Sequence, residues 1–193
     1  MWKVSVAALL IPALAAAEVV CSLGGNPAAY KPSADQRPTA DAMDLAHRMS
    51  DVITPLCSPR CPEIPILRNT TAANVMLIFS PGEAKVVYNP QFFQNIYDNF
   101  GDGAIIAVLA HEFGHALDEV NPDKFGRGGT PELRADAWAG CALARAKLTK
   151  VALNEALTAL SKYPAPSHPD WSVRLNALKL GFTQCGSDAA KLK

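Results

Sequence analysis

Residues Ala104 to Ala110 are apolar at every position, and the chain continues directly into His111-Glu112-Phe113-Gly114-His115. A helix that is apolar all round belongs inside a core. The run therefore predicts a buried helix from about Gly103 to Val120, with Asp102 as its expected N-cap. Two imidazoles and a carboxylate carried into that interior are costly without a partner, and a metal ion is one. His111 and His115 stand one helical turn apart on one face, so both rings can reach the same ion. Glu112 is rotated about 100° around the axis, where it can hold a water at that ion without being a ligand. The bland alternative is a helix that simply carries two histidines. The H-E-x-x-H spacing favours zinc hydrolase chemistry, with Glu112 as general base of a zinc-activated water.

A catalytic zinc site has three protein ligands and one open position. Thr130-Pro131 reads as the N-cap and first residue of another helix, running to about Leu148. Glu132 lies in its first turn and Asp136 one turn further on the same face. Glu132 is thus the expected third ligand, and Asp136 the acceptor that fixes the tautomer of a ligand histidine. Acidic residues also favour a helix N-terminus for dipole reasons alone, but the upstream motif gives these two a shared purpose. The expectation is one Zn2+ per chain on His111, His115 and Glu132.

The first seventeen residues read as a signal peptide: Lys3, an apolar stretch from Val4 to Leu14, and Ala15-Ala16-Ala17 as the cleavage site. Cys21 raises a lipoprotein signal as an alternative, but Glu18-Val19-Val20 lacks the small residues that would precede one. Residues 18–38 contain Gly24-Gly25, Pro27, Pro32 and Pro38 and read as an extended arm. A metallopeptidase-like domain is expected over 39–185, followed by a tail over 186–193. No later run approaches the roughly eighteen apolar residues of a membrane span. The formal net charge is 0, with no basic stripe for nucleic acid. A periplasmic or secreted location follows from the leader, and Asn69-Thr70-Thr71 is formally a glycosylation sequon. All five cysteines lie beyond the leader. Cys57 with Cys61 is a believable local disulfide, Cys141 with Cys185 a second staple, and an odd count leaves one thiol over.

Met43, Ala46, Met49, Ile53 and Leu56 have helical spacing and predict a helix from about Ala40 to Leu56, with His47 on its solvated side. Ala73 to Phe79 and Lys85 to Tyr88 are β-prone runs around Ser80-Pro81-Gly82-Glu83 and predict a hairpin over 73–88. Ile64 to Leu67 is a candidate third strand. Helices are expected from Gln91 to Phe100, from Ala152 to Lys162, and from a capping box at Ser167-His168-Pro169-Asp170 to Phe182. The fold class is α+β, a small sheet packed on a mainly helical half.

Glu132-Leu133-Arg134-Ala135-Asp136 resembles the E-x-x-A-D segment that follows H-E-x-x-H in gluzincin metallopeptidases. Ala139-Gly140, and His168-Pro169 with Arg174 as an H-P-x-x-x-x-R segment, are similar to those of the HtpX-like and CAAX-prenyl-endopeptidase family. Bacterial neutral zinc metallopeptidases are also similar. The resemblance covers roughly residues 74 to 182. It implies a zincin-like fold and endopeptidase activity on a protein or peptide substrate. It also implies a role for His168 as oxyanion donor, with Tyr88 the other candidate, and a carboxylate partner for Arg174. The HtpX-like enzymes are membrane-embedded, whereas no run here is long and apolar enough to span a bilayer. The alternative function is a zinc-binding, non-hydrolytic binding or chaperone-like module. Substrate, oligomeric state and any lid role of 18–38 stay open.

Overall fold

The computed structural model describes residues 18–22, 29–59, 61, 63–80, 83–126, 128–162 and 168–193. The expected leader and Ser167 lie outside them. The elements are β1 (Glu18–Ser22), α1 (Ala40–Cys57), β2 (Ile66–Arg68), β3 (Val75–Ser80), β4 (Glu83–Tyr88), α2 (Pro90–Phe100), α3 (Asp102–Val120), α4 (Pro131–Ala146), α5 (Lys150–Lys162) and α6 (Trp171–Gln184). The class is α+β. The sheet has the order β1-β3-β4-β2, with β1 and β4 antiparallel to β3 and β2 parallel to β4.

β3 is apolar at nearly every position because both its faces are covered. Val75 and Leu77, with Val86 and Tyr88 of β4, join the main core under the helices. Met76, Ile78 and Val87 form a second cluster on the other face with Ala72, and Tyr30 packs against it. The segment carrying Tyr30 is tied down by polar bonds. Tyr30 Oη donates to Asp35, whose carboxylate also receives Lys85 Nζ and Asn69 Nδ2. Asn69 is 1% exposed, and its amide nitrogen also donates to the Lys31 carbonyl. The formal sequon therefore has a buried asparagine whose amide nitrogen is already engaged, although Thr70 is exposed.

α3 is the axis of the helical half, buried from Gly103 to Asp118 and in contact with α1, α2, α4, α5 and β3. Several boundaries differ from expectation for local reasons. Gly101, not Asp102, is the N-cap of α3, and the Gly103 N–H donates instead to the Glu155 carboxylate of α5. α6 begins at Trp171 with Asp170 as N-cap. α1 buries Leu45, Met49, Ile53 and Cys57 at four-residue spacing, which leaves Met43 exposed. The arm is not wholly extended. Glu18–Ser22 is a strand, Pro32–Ala34 is a short 3-10 turn, and Gln36 forms an antiparallel bridge with Arg68. Thr130 caps α4 as expected, its side chain accepting from Leu133 N–H.

α4 lies in close contact with both α3 and α6. A methyl group at Gly140 would overlap the Leu178 carbonyl of α6, and one at Gly181 would overlap the Ala137 carbonyl of α4. The disulfide Cys141–Cys185 ties α4 to the C-cap residue of α6, and Cys57–Cys61 closes the end of α1. Among the described residues, no helix is long and apolar enough to cross a membrane. Packing this close predicts that Gly140→Ala and Gly181→Ala each lower the unfolding free energy by about 1–3 kcal/mol. Gly128→Ala, where a methyl would meet nothing within 4 Å, leaves it unchanged or slightly raised. Urea titrations of the three variants check this.

Candidate metal centre

Glycine at position 114 sets the distance between the two helices that build the site. A methyl there would press on the Ala135 backbone of α4. Ala135 sits between Glu132 and Asp136, so this close approach carries both carboxylates to the histidine face of α3. His111 and His115 lie one turn apart on that face, with ring centroids 4.9 Å apart. His168 arrives from the segment before α6, its ring 5.3 Å from that of His111.

All three imidazoles converge on one oxygen. Glu132 Oε2 lies 3.2 Å from His111 Nε2, 3.6 Å from His115 Nε2 and 2.9 Å from His168 Nε2. His111, Glu132 and His168 have ligand atoms all within 4.8 Å of one another and could hold a metal ion. The spacing-based ligand set was His111, His115 and Glu132. The tightest trio exchanges His115 for His168, although His115 faces the same carboxylate.

The polar bookkeeping around His111 fits a cation. Its Nδ1 lies 3.0 Å from Asp136 Oδ1, and its Nε2 faces Glu132. A neutral imidazole has one N–H, and Asp136 takes it at Nδ1. The bare Nε2 lone pair then points at a carboxylate, an opposition that a cation between them removes. His115 Nε2 is buried, and 3.6 Å from Glu132 leaves it without a hydrogen-bond partner. Burial pushes the His115 imidazole below its ordinary pKa, which favours the neutral, ligating form. Burial alone would push the Glu132 carboxyl up, and imidazoles protonated towards it, His111 first, hold it far below the usual carboxylate range; with His111 and His115 neutral, a cation takes over that stabilisation.

Asp136 is fully buried and binds Arg174 in a fork, Nε to Oδ2 and Nη2 to Oδ1, both at 2.8 Å. Burial opposes its charge, yet His111 and Arg174 outweigh that and depress its pKa. Arg174 therefore has the carboxylate partner that was expected. Its Nη1 also reaches the Leu160 carbonyl at 3.2 Å and His168 Nδ1 at 3.3 Å. Guanidinium only donates, so His168 Nδ1 must accept and Nε2 must carry the proton. Asp136 and Arg174 thus assign opposite tautomers: Nδ1–H for His111 and Nε2–H for His168.

Glu112 is fully buried and turned towards the sheet, where its Oε2 accepts the Leu77 N–H of β3 at 2.9 Å. Tyr88, the other donor considered, stacks on Phe93 at 4.5 Å. His47 is exposed on α1. The Leu77 amide and the Leu160 carbonyl were not identified from the sequence, because a backbone group carries no residue-type signal. The chain matches no family model, no curated protein and no solved structure.

The Asp136 arrangement predicts that Asp136→Asn weakens metal binding about 10–100-fold. It also leaves the Arg174 charge buried without its anion, which destabilises by about 3–5 kcal/mol. Chelator competition and urea unfolding measure the two effects separately.

Proposed function

We propose that this chain is a zinc-dependent endopeptidase of the gluzincin type, acting on peptide bonds in an oxidising compartment. The observation that carries the reading is the convergence of three imidazole Nε2 atoms on the Glu132 carboxylate, with Glu112 buried on the same α3 segment. Nitrogen and carboxylate donors suit zinc, and two histidines with one carboxylate leave a position open for chemistry. Two disulfides support a compartment outside the reducing cytoplasm, in keeping with the expected leader.

In this reading His111, His115 and Glu132 hold the ion. Zinc supplies Lewis acidity towards the attacked carbonyl and brings the pKa of water towards neutrality. Glu112 accepts the proton of the attacking water and delivers it to the leaving amine nitrogen as the C–N bond breaks. Its Oε2 is steadied by the Leu77 amide, which fixes the carboxylate without neutralising it. Asp136 keeps the His111 proton on Nδ1, so Nε2 presents its lone pair to the ion. Arg174 keeps the His168 proton on Nε2, which suits a donor to negative charge developing on the carbonyl oxygen.

A second reading rests on the His111, Glu132 and His168 trio. If His168 joins both motif histidines and Glu132 as a ligand, the site has four protein ligands and no open position. Closed sites of that kind are structural, and the chain is then a zinc-binding, non-hydrolytic module. That arrangement needs a bare Nε2 on His168, which sets its Nδ1–H against the Arg174 donor. The donor role avoids this conflict and is preferred.

Two variants separate the readings. Glu112→Gln is expected to keep one zinc per chain while peptide cleavage falls about 10²–10⁴-fold. His168→Gln is expected to keep its zinc while kcat falls about 10²–10³-fold. Metal analysis and cleavage of a denatured-protein substrate check both. Loss of zinc from His168→Gln, with no cleavage by the unmodified chain, supports the closed module instead.

A further inference from the structure

β3 has one edge that faces the site, and a strand of the chain's own N-terminal segment lies on it. Val86 N–H donates to the Pro65 carbonyl, so the Val86 backbone groups point towards β2. Leu77 is the antiparallel partner of Val86. Its backbone groups must then point away from β4, to the β1 side. That is where Leu77 N–H meets Glu112 Oε2 at 2.9 Å. The carboxylate read as the general base therefore sits at the seam between β3 and β1.

The pairing at that seam is irregular. β1 runs antiparallel to β3, pairing Glu18 with Phe79, Val19 with Ile78, Cys21 with Leu77 and Ser22 with Met76. The register slips between Val19 and Cys21, so one extra residue is accommodated beside Leu77. A bulge there gives room for the Glu112 carboxylate to take the Leu77 amide. β1 is terminal in the sheet order, and among the described residues its only pairing is with β3. It can leave without opening another ladder.

We propose that Glu18–Ser22 is a displaceable inhibitory strand, the resident occupant of the β3 edge from Leu77 to Phe79 that an extended peptide running antiparallel would otherwise take. The inference rests on the peptidase reading for its purpose, but the edge and its occupant stand on the pairing alone. Strand addition supplies backbone hydrogen bonds to any extended segment. A peptide docked there lies against Glu112, as β1 does. Because β1 is tethered, its effective concentration is on the order of millimolar, so free peptides compete poorly until β1 is displaced or clipped. The strand thereby holds the protein latent.

The test uses the full chain, zinc-loaded, and the double variant Val19→Pro/Cys21→Pro. Proline removes ladder N–H groups and disfavours pairing. A fluorescent extended-peptide library is expected to bind the variant at least about tenfold more tightly than the unmodified chain, with a matching gain in cleavage. A synthetic peptide of residues 18–22 should inhibit the variant. Equal affinity in both proteins, with zinc content and melting unchanged, overturns the proposal. Tighter binding by the variant with no cleavage by either keeps the docking edge and removes the peptidase. Equal cleavage by both keeps the peptidase and removes the occupant. Hydrogen exchange on the unmodified chain needs no variant. Millimolar extended peptide should expose the amides of Val19 to Ser22, and constant protection there overturns the proposal.

Discussion

The carboxylate of Asp136 is the point on which the helical half depends. It is fully buried, and an isolated charge there would be prohibitive. The fork from Arg174 and the ring of His111 satisfy it, and they come from α6 and α3. Arg174 then extends the connection to the Leu160 carbonyl of α5 and to His168. Four helices and the histidine before α6 are thus positioned around one anion. Such a pair adds little net stability over an apolar isostere, because desolvation offsets much of the attraction. Its effect here is on arrangement: any other register of these helices strands a buried charge.

Close backbone contact makes that network possible. Arg174 reaches Asp136 because α6 and α4 touch through Gly140 and Gly181, and His111 reaches it because Gly114 admits α4 against α3. Side chains of ordinary size at these positions would hold the helices apart and lengthen every polar bond. The tautomers of His111 and His168 follow from the same geometry, one facing an acceptor and the other a donor. In the proposed enzyme that difference separates a ligand from a hydrogen-bond donor, although both are histidines facing one carboxylate.

The sheet contributes in a different way. β3 is covered on both faces, so its information lies at its edge. Glu112 reads that edge through the Leu77 amide, and β1 covers it. The arm from 18 to 38 looks featureless in sequence because its proline and glycine content argues against regular structure. Glu18–Ser22 nevertheless pairs, since a short strand needs only a free ladder to add to. Met43 erred in the opposite direction. Helical spacing placed it on the apolar stripe, but α1 turns Leu45, Met49 and Ile53 inwards instead. An amphipathic period alone leaves such a rotation loosely defined.

What the residues alone determined is local and chemical. The apolar run ending in His111-Glu112-Phe113-Gly114-His115 required a buried helix with two imidazoles on one face. Thr130-Pro131 started α4, and the Cys57 and Cys61 spacing matched the local disulfide, because helical periodicity, capping and short loops act over a few residues; Cys141 and Cys185, 44 residues apart, meet only through the contact of α4 with α6. The tertiary structure decided what is non-local. It brought His168 to Glu132 Oε2 from beyond the rest of α4 and all of α5, set its tautomer through Arg174, and joined Glu112 to a backbone amide 35 residues away in the chain. No local pattern encodes those encounters, since they depend on how closely glycine lets the helices approach and on which sheet edge is left to be filled.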